Sequence, residues 1–73
     1  MRTWASELEQ LITQRYPCAQ VFILAEIYEW EPHFRALYPE NDHVQEKLRQ
    51  TLQVLRESGV IEFVDDAGTY RRL

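Results

Sequence analysis

The most regular pattern in this sequence lies between Asn41 and Gly59, and it restricts what the chain can fold into. Apolar residues recur there at positions i, i+4, i+8 and i+11, namely Val44, Leu48, Leu52 and Leu55. This spacing places all four on one side of an α-helix. We therefore predict a helix that is buried along one side and needs other elements to cover it.

Both ends of this helix carry boundary signals. Pro39 disfavours helical geometry at the residue before it, and Asn41 or Asp42 is then expected to supply the capping oxygen. If Asp42 is the cap, Gln45 stands at the capping-box position three residues later. Gly59 is predicted to end the helix in the left-handed conformation.

The opposite side of the same helix is polar. It holds Asp42, Glu46, Arg49, Gln50 and Gln53, with Lys47 and Arg56 on its flanks. Glutamine can hold two edge atoms of adenine and arginine two of guanine, so this side could contact bases in the DNA major groove. An ordinary solvated side has the same pattern, and the periodicity alone leaves both interpretations open.

The first part of the chain predicts a helix followed by a strand. Thr3 is expected to cap the helix, and Tyr16-Pro17 to end it. Residues 20–23 are short and β-branched, and they predict a brief strand. The buried side of the helix is a stripe of Trp4, Leu8, Leu11 and Ile12.

A second helix is predicted to start near Ala25. Pro32 lies inside its pattern and cannot bond to the carbonyl of Tyr28. We therefore expect a kink or a break there, and a separate short turn from Pro32 to Leu37. The inward residues of the whole stretch are Ile27, Trp30, Phe34 and Leu37.

The end of the chain predicts a hairpin. Residues 60–64 alternate as a strand with Ile61 and Phe63 facing the core, residues 65–68 form a turn in which Gly68 can take positive φ, and residues 69–73 return antiparallel.

The complete order predicts an α+β winged helix over residues 1–73 as a single domain, with three helices, a small antiparallel sheet and a hairpin wing. A helical bundle with an incidental hairpin is the alternative, which the strand before the second helix disfavours.

Charge limits the kind of DNA binding that is feasible. The formal net charge is -4, which argues against strong sequence-independent binding because phosphate neutralisation needs concentrated Lys and Arg. Residues 1–40 hold three basic and six acidic side chains, against five and six in residues 41–73. The deficit therefore lies mainly in the first half, and a DNA-facing second half is expected to bind weakly and in a salt-sensitive way.

The residues that could carry chemistry form no catalytic constellation. Cys18 is the single cysteine, which excludes an internal disulfide and a multi-cysteine zinc site and favours a reducing, cytoplasmic compartment. His33 and His43 stand ten residues apart with no second ligand at helical spacing, so a metal site is not expected. We predict a non-catalytic, soluble domain without metal, cofactor or membrane segment.

Four motifs carry a more specific signal. They are Phe22-x-Leu24-x-Glu26-Ile27-Tyr28, Tyr38-Pro39-x-Asn41-x-His43-Val44, Lys47-Leu48-Arg49-Gln50-x-Leu52-Gln53-x-Leu55-Arg56-x-x-Gly59-x-Ile61-x-Phe63, and Gly68-x-Tyr70. Together they resemble the C-terminal winged-helix domain of Dam-replacing, DpnI-type restriction endonucleases, over roughly residues 20–73. The resemblance implies a domain that binds duplex DNA carrying N6-methyladenine in a GATC context, beside a separate metal-dependent nuclease domain.

This resemblance also implies which residues contact DNA. Asn41, His43 and Trp30 are candidates for a pocket around the methyl groups, although the spacing of Trp30 predicts a core residue first. The sequence departs from the family at Ile23, where a hydroxyl residue often caps the second helix, and in its acidic balance. The candidate DNA-binding residues are Asn41, His43, Gln45, Glu46, Lys47, Arg49, Gln50, Gln53 and Arg71.

Two questions stay open on the sequence alone. No nuclease portion lies in these residues, so the chain is expected to be either a cut-out domain or a free-standing reader of a restriction system. The competing functional hypothesis is a protein-interaction winged helix that uses the acidic second helix, with Trp30 or Tyr28 as an aromatic anchor. That hypothesis predicts no DNA binding at low salt.

Overall fold

The computed structural model describes residues 3–65 and 67–73 of the chain. These residues form four helices and one three-stranded sheet, an α+β arrangement of the winged-helix type. The predicted elements are present in the predicted order, and the second helix is divided in two. The elements are α1 (Trp4–Arg15), β1 (Val21–Ile23), α2 (Leu24–Tyr28), α3 (Glu31–Leu37), α4 (Val44–Glu57), β2 (Ile61–Phe63) and β3 (Thr69–Arg72).

The break in the second helix lies just before Pro32. α2 ends at Tyr28 and α3 begins at Glu31, so Pro32 falls in the first turn of α3, where its missing N–H removes no intrahelical bond. The expected break is confirmed. At the start of α2, the Glu26 carboxylate accepts a hydrogen bond from the Ile23 N–H at 3.0 Å, which stabilises the helix end without a hydroxyl cap.

The apolar side of α4 forms the centre of the core. Its four stripe residues are at most 2% exposed, and they pack against buried residues from α1, α2, α3 and the sheet. Burial of this kind stabilises a fold by about 1.5–3 kcal/mol for each large apolar side chain. The partners of the stripe in the core are Leu8, Ile12, Tyr16, Phe22, Ile27, Phe34, Ile61 and Tyr70.

The hairpin is held to the body of the protein by β1. The sheet order is β1-β3-β2 and both pairings are antiparallel. Phe22 and Phe63 lie opposite Tyr70 from the two sides, with ring centroids 5.6 and 5.1 Å from it. Tyr16 stacks on Phe22 at 4.7 Å, so a row of rings joins the hairpin to α1. Asp66, part of the predicted turn, lies outside the described residues.

The capping predictions have mixed outcomes. Thr3 caps α1 as expected, since its Oγ1 accepts a hydrogen bond from the Ser6 N–H at 3.0 Å. The predicted cap of α4 by Asn41 or Asp42 is wrong, because the N-cap residue is His43 and its side chain makes no capping bond. Asn41 Oδ1 instead accepts a hydrogen bond from the His43 N–H at 2.7 Å, which stabilises the turn before the helix.

The C-terminal end of α4 is as predicted. Gly59 has a φ of +81°, its N–H donates to the Arg56 carbonyl at 3.1 Å, and the Val60 N–H donates to the Leu55 carbonyl at 3.0 Å. These two bonds form a Schellman motif, which satisfies carbonyls that the helix leaves free. The chain is thereby turned directly from α4 into β2.

Gly59→Ala tests this left-handed stop. A Cβ at Gly59 would meet no atom within 4 Å, so only the backbone conformation opposes it, and the free energy of unfolding should fall by about 1 kcal/mol. Thermal denaturation followed by circular dichroism should show a Tm lower by about 4–8 °C.

Gly68→Ala provides the comparison. Gly68 also has positive φ, and its added Cβ would lie 3.3 Å from the Leu24 Cβ, so this variant should lose more stability than Gly59→Ala. A Gly59→Ala protein with undiminished Tm would contradict the role given to the left-handed conformation.

Candidate nucleic-acid interface

The polar side of α4 is open to solvent. The recognition face, as we name it, consists of Glu46, Arg49, Gln50 and Gln53, which are exposed and together line one shallow depression. Their spacing of i, i+3, i+4 and i+7 places them on one side of the helix. Because the opposite side of α4 is buried in the core, this face cannot turn inwards without unfolding the domain.

The side chains of the recognition face make no hydrogen bond or ion pair with the described part of the protein. Their interactions within residues 3–65 and 67–73 include the backbone hydrogen bonds of α4 but no side-chain hydrogen bond or ion pair. A free guanidinium and two free amides offer the donor and acceptor groups that base edges and phosphates bind. This surface can therefore form hydrogen bonds with a ligand without first breaking bonds within the protein.

The recognition face continues onto the hairpin. The wing is the β2–β3 hairpin, described over residues 61–65 and 67–72. A second depression lies between α4 and the wing, and Arg49 and Gln53 border both depressions. Burial, and secondly the neighbouring Tyr28, raise the pKa of the Tyr70 hydroxyl above its ordinary value. The positive charge of the nearby Arg49 guanidinium acts in the opposite direction and lowers this pKa. The residues around the second depression are Arg49, Gln53, Phe63, Asp65, Gly68 and Tyr70.

One contact joins the wing to α4, and two hydrogen bonds order the tip of the wing. The Arg56 guanidinium carbon lies 4.8 Å from the centroid of the Phe63 ring, a cation–π contact between the last turn of α4 and β2. Asp65 Oδ1 accepts hydrogen bonds from the Ala67 and Thr69 N–H groups at 2.8 and 3.3 Å, which order the tip of the hairpin.

The first turn of α4 is fixed by the preceding helix. Gln45 Nε2 donates to Glu31 Oε1 at 3.1 Å, and Arg35 donates to Glu31 Oε2 from Nε at 2.9 Å and from Nη2 at 2.6 Å. Arg35, and secondly Gln45, holds the pKa of Glu31 below its ordinary value. The structure thus places Gln45 in a bridge between α3 and α4, as well as near the helix start where it was predicted to contact DNA.

The start of α4 is surrounded on different sides by three candidate residues, Asn41, His43 and Lys47. His43 is exposed at the N-cap position. Asn41 is half-buried and lines a depression with Trp4 and Tyr38, whereas Lys47 is half-buried beside α1. Asn41 and His43 are brought together by their hydrogen bond, and Lys47 lies on the flank of the helix.

The remaining candidates lie away from the recognition face. Trp30 packs edge to face on Tyr16 with ring centroids 6.3 Å apart, in a depression that it shares with Glu26 and Glu29. Asn41 lines a different depression, so the structure does not bring Trp30 into one pocket with it. Trp30 is half-buried and packs against the core, and its role in a methyl pocket stays a prediction.

The two arginines of β3 point to opposite sides of the sheet, as alternation predicts. Arg71 Nη1 donates to Glu62 Oε1 at 2.5 Å, and both side chains are 42% exposed. Arg72 Nη1 donates to the Tyr16 carbonyl at 2.8 Å. Arg71 is therefore the outward arginine, although its guanidinium is already paired with Glu62.

Several residues of the interface were missed by sequence reasoning. Glu62 lies opposite Arg71 in the strand register, and pairing the two predicted strands across their turn could have found it. Glu31 is fourteen positions from Gln45, and no periodicity indicates that contact. Asp65 and Tyr70 were assigned to a turn and a strand, and only the packing of the wing beside α4 shows that they border the recognition face.

These features define a class of protein. A short helix, a turn and a long helix with one polar side exposed, beside a hairpin, form a winged helix-turn-helix, a fold class that binds DNA. Residues 1–72 match the family model described as the Dam-replacing HTH domain. The chain belongs to this family and is a DNA-binding helix-turn-helix domain.

In the described part of the chain, no helix is long and apolar enough to cross a membrane.

The bridge at Glu31 leads to a pH-dependent prediction. Arg35→Gln should raise the pKa of Glu31 towards the ordinary 4.5, and Gln45→Ala should raise it less, because Arg35 is the larger cause. The folded-state pKa of Glu31 lies below its unfolded value. The ionised Glu31 carboxylate therefore stabilises the fold at pH values above the unfolded pKa, and this contribution is lost as the pH falls through the folded-state pKa. An NMR titration of the Glu31 carboxyl carbon measures this, and an unchanged pKa in Arg35→Gln would contradict the bridge.

Proposed function

We propose that this domain reads N6-methyladenine in duplex DNA, in a GATC-like context, with the recognition face of α4 in the major groove. It acts as the specificity module of a methylation-dependent restriction system, and a separate nuclease domain supplies cleavage. The observation that carries the proposal is the unpaired Arg49-Gln50-Gln53 surface, continuous with the wing, in a domain of the Dam-replacing HTH family. No catalytic role is assigned to any residue of the domain.

The proposed contacts divide into two groups. Asn41, His43 and the first turn of α4, which includes Gln45 and Lys47, surround the methyl groups at the start of the helix, where groove-binding helices place their base-contacting residues. Arg49, Gln50 and Gln53 contact flanking base edges or phosphates. Arg71 contributes a phosphate contact from the wing, in competition with its pairing to Glu62.

The energy of methyl burial limits how the discrimination can arise. Burying one methyl group contributes about 0.8 kcal/mol, which is about fourfold in affinity. Two methyl groups, one on each strand of a palindrome, contribute about 1.6 kcal/mol, or about fifteenfold if their effects add. Larger discrimination requires a penalty for unmethylated DNA, and poorly placed water against the polar groups of Asn41 and His43 supplies one.

Fluorescence anisotropy with matched duplexes tests the methyl-reading proposal. A GATC duplex methylated on both strands should bind at least about fifteenfold more tightly than its unmethylated form. Titrations at about 50 and 200 mM salt should weaken both complexes, because phosphate contacts release counterions, and should leave their ratio nearly unchanged. Equal affinities for the two duplexes would refute methyl reading and leave general DNA binding intact.

A pair of substitutions tests the recognition face itself. Arg49→Ala with Gln50→Ala should weaken binding to the methylated duplex by more than tenfold, since each bidentate base contact contributes about 1–3 kcal/mol. Stability should change little because both side chains are exposed.

The matched control is Gln10→Ala with Gln14→Ala, two exposed positions on α1. This variant should bind DNA like the wild type in the same anisotropy assay. Equal losses in the two variants would show that the recognition face is not the DNA-contacting surface.

A further inference from the structure

Glu46 is the one acidic member of the recognition face, and its position needs an explanation in a surface that meets DNA. It is exposed, it lines the same depression as Arg49, and within the described ranges it makes no ion pair with that arginine. A carboxylate close to phosphates or to base acceptors is repelled. Under the proposed function, this carboxylate therefore needs a hydrogen-bond donor on the DNA as its partner.

A G·C base pair presents a suitable group. Its major-groove edge carries the guanine N7 and O6 acceptors and, beside them, the cytosine N4 amino donor. Arginine can donate to both guanine atoms, and a carboxylate is the side-chain group that accepts from cytosine N4. We propose that Arg49 and Glu46 together read one G·C pair, with Arg49 on the guanine and Glu46 on the cytosine.

The geometry of α4 suits this division of roles. Residues three apart on a helix are neighbours on its surface and differ by about 4.5 Å along the axis, a separation that two long side chains span to reach opposite strands of one base pair. Both side chains are free of intramolecular hydrogen bonds over residues 3–65 and 67–73. Binding therefore breaks no contact that the fold depends on.

The same carboxylate also opposes binding elsewhere on DNA. Where cytosine is replaced by thymine, Glu46 faces the thymine O4 acceptor in place of the cytosine N4 donor, and away from the site it faces phosphates. Such repulsion raises specificity by weakening the competing complexes rather than by strengthening the correct one. Glu46 thus sets which base pair is accepted and limits binding to unrelated sequences.

The experiment measures Kd for a panel of duplexes that all keep both N6-methyladenines. Each base pair in and next to the GATC sequence, apart from the methylated pairs, is replaced in turn by the other three. The proteins are the wild type, Glu46→Gln, Arg49→Lys and the control Glu9→Gln, which removes an exposed charge from α1. Wild type should prefer G·C at one position by about tenfold.

Glu46→Gln should lower that preference by about threefold, because the Arg49 contact to guanine remains, and should bind the non-preferred duplexes more tightly than Glu9→Gln does. Arg49→Lys keeps its charge but loses the bidentate contact, and it should lose the preference at the same position. Circular dichroism checks that each variant is folded.

Three outcomes would overturn the joint role of Glu46 and Arg49. The first is equal behaviour of Glu46→Gln and Glu9→Gln across the panel, and the second is loss of preference at different positions in Glu46→Gln and Arg49→Lys. The third is a wild type that binds no duplex of the panel. If instead the wild type shows the G·C preference but binds unmethylated duplexes equally well, methyl reading fails and the assignment of Glu46 stands.

Discussion

Burial of the apolar side of α4 is the interaction on which the rest of the structure depends. Val44, Leu48 and Leu52 are at most 1% exposed, and every other helix and the sheet supply residues to the same core. Replacing one buried leucine by alanine typically costs about 2–5 kcal/mol, a large part of the total stability of a small domain. Because α4 is apolar on one side only, the packing that stabilises the fold also presents the recognition face to solvent.

The other contacts orient α4 more than they stabilise the domain. The Gln45–Glu31 hydrogen bond and the cation–π contact between Arg56 and Phe63 are partly solvent-exposed, and exposed polar and charged pairs contribute little free energy. They lie at the two ends of the helix, one towards α3 and the other towards the wing. Together with the pairing of β1 and β3, they hold a helix, a turn and a hairpin in one arrangement along a single surface.

Part of the acidic charge of the chain lies away from the recognition face. Glu26 and Glu29 lie with Trp30 in a depression beside Tyr16, whereas Arg49 is shared between the recognition face and the groove beside the wing. A domain with net charge -4 gains little from general attraction to phosphates. The proposed reading of DNA therefore relies on contacts to base edges more than on phosphate neutralisation.

Much of the architecture could be predicted from local patterns. The stripe of α4, the break before Pro32, the left-handed Gly59 and the alternation of the hairpin follow from the geometry of helices, prolines, glycines and strands, and each depends only on residues close together in the sequence. Tertiary structure alone decided that Gln45 bonds to Glu31, that Trp30 lies against Tyr16, and that the wing borders Arg49. Those outcomes depend on distances between separate elements, which no spacing along the chain encodes, since polar side chains choose partners only after the core has fixed the helices and strands.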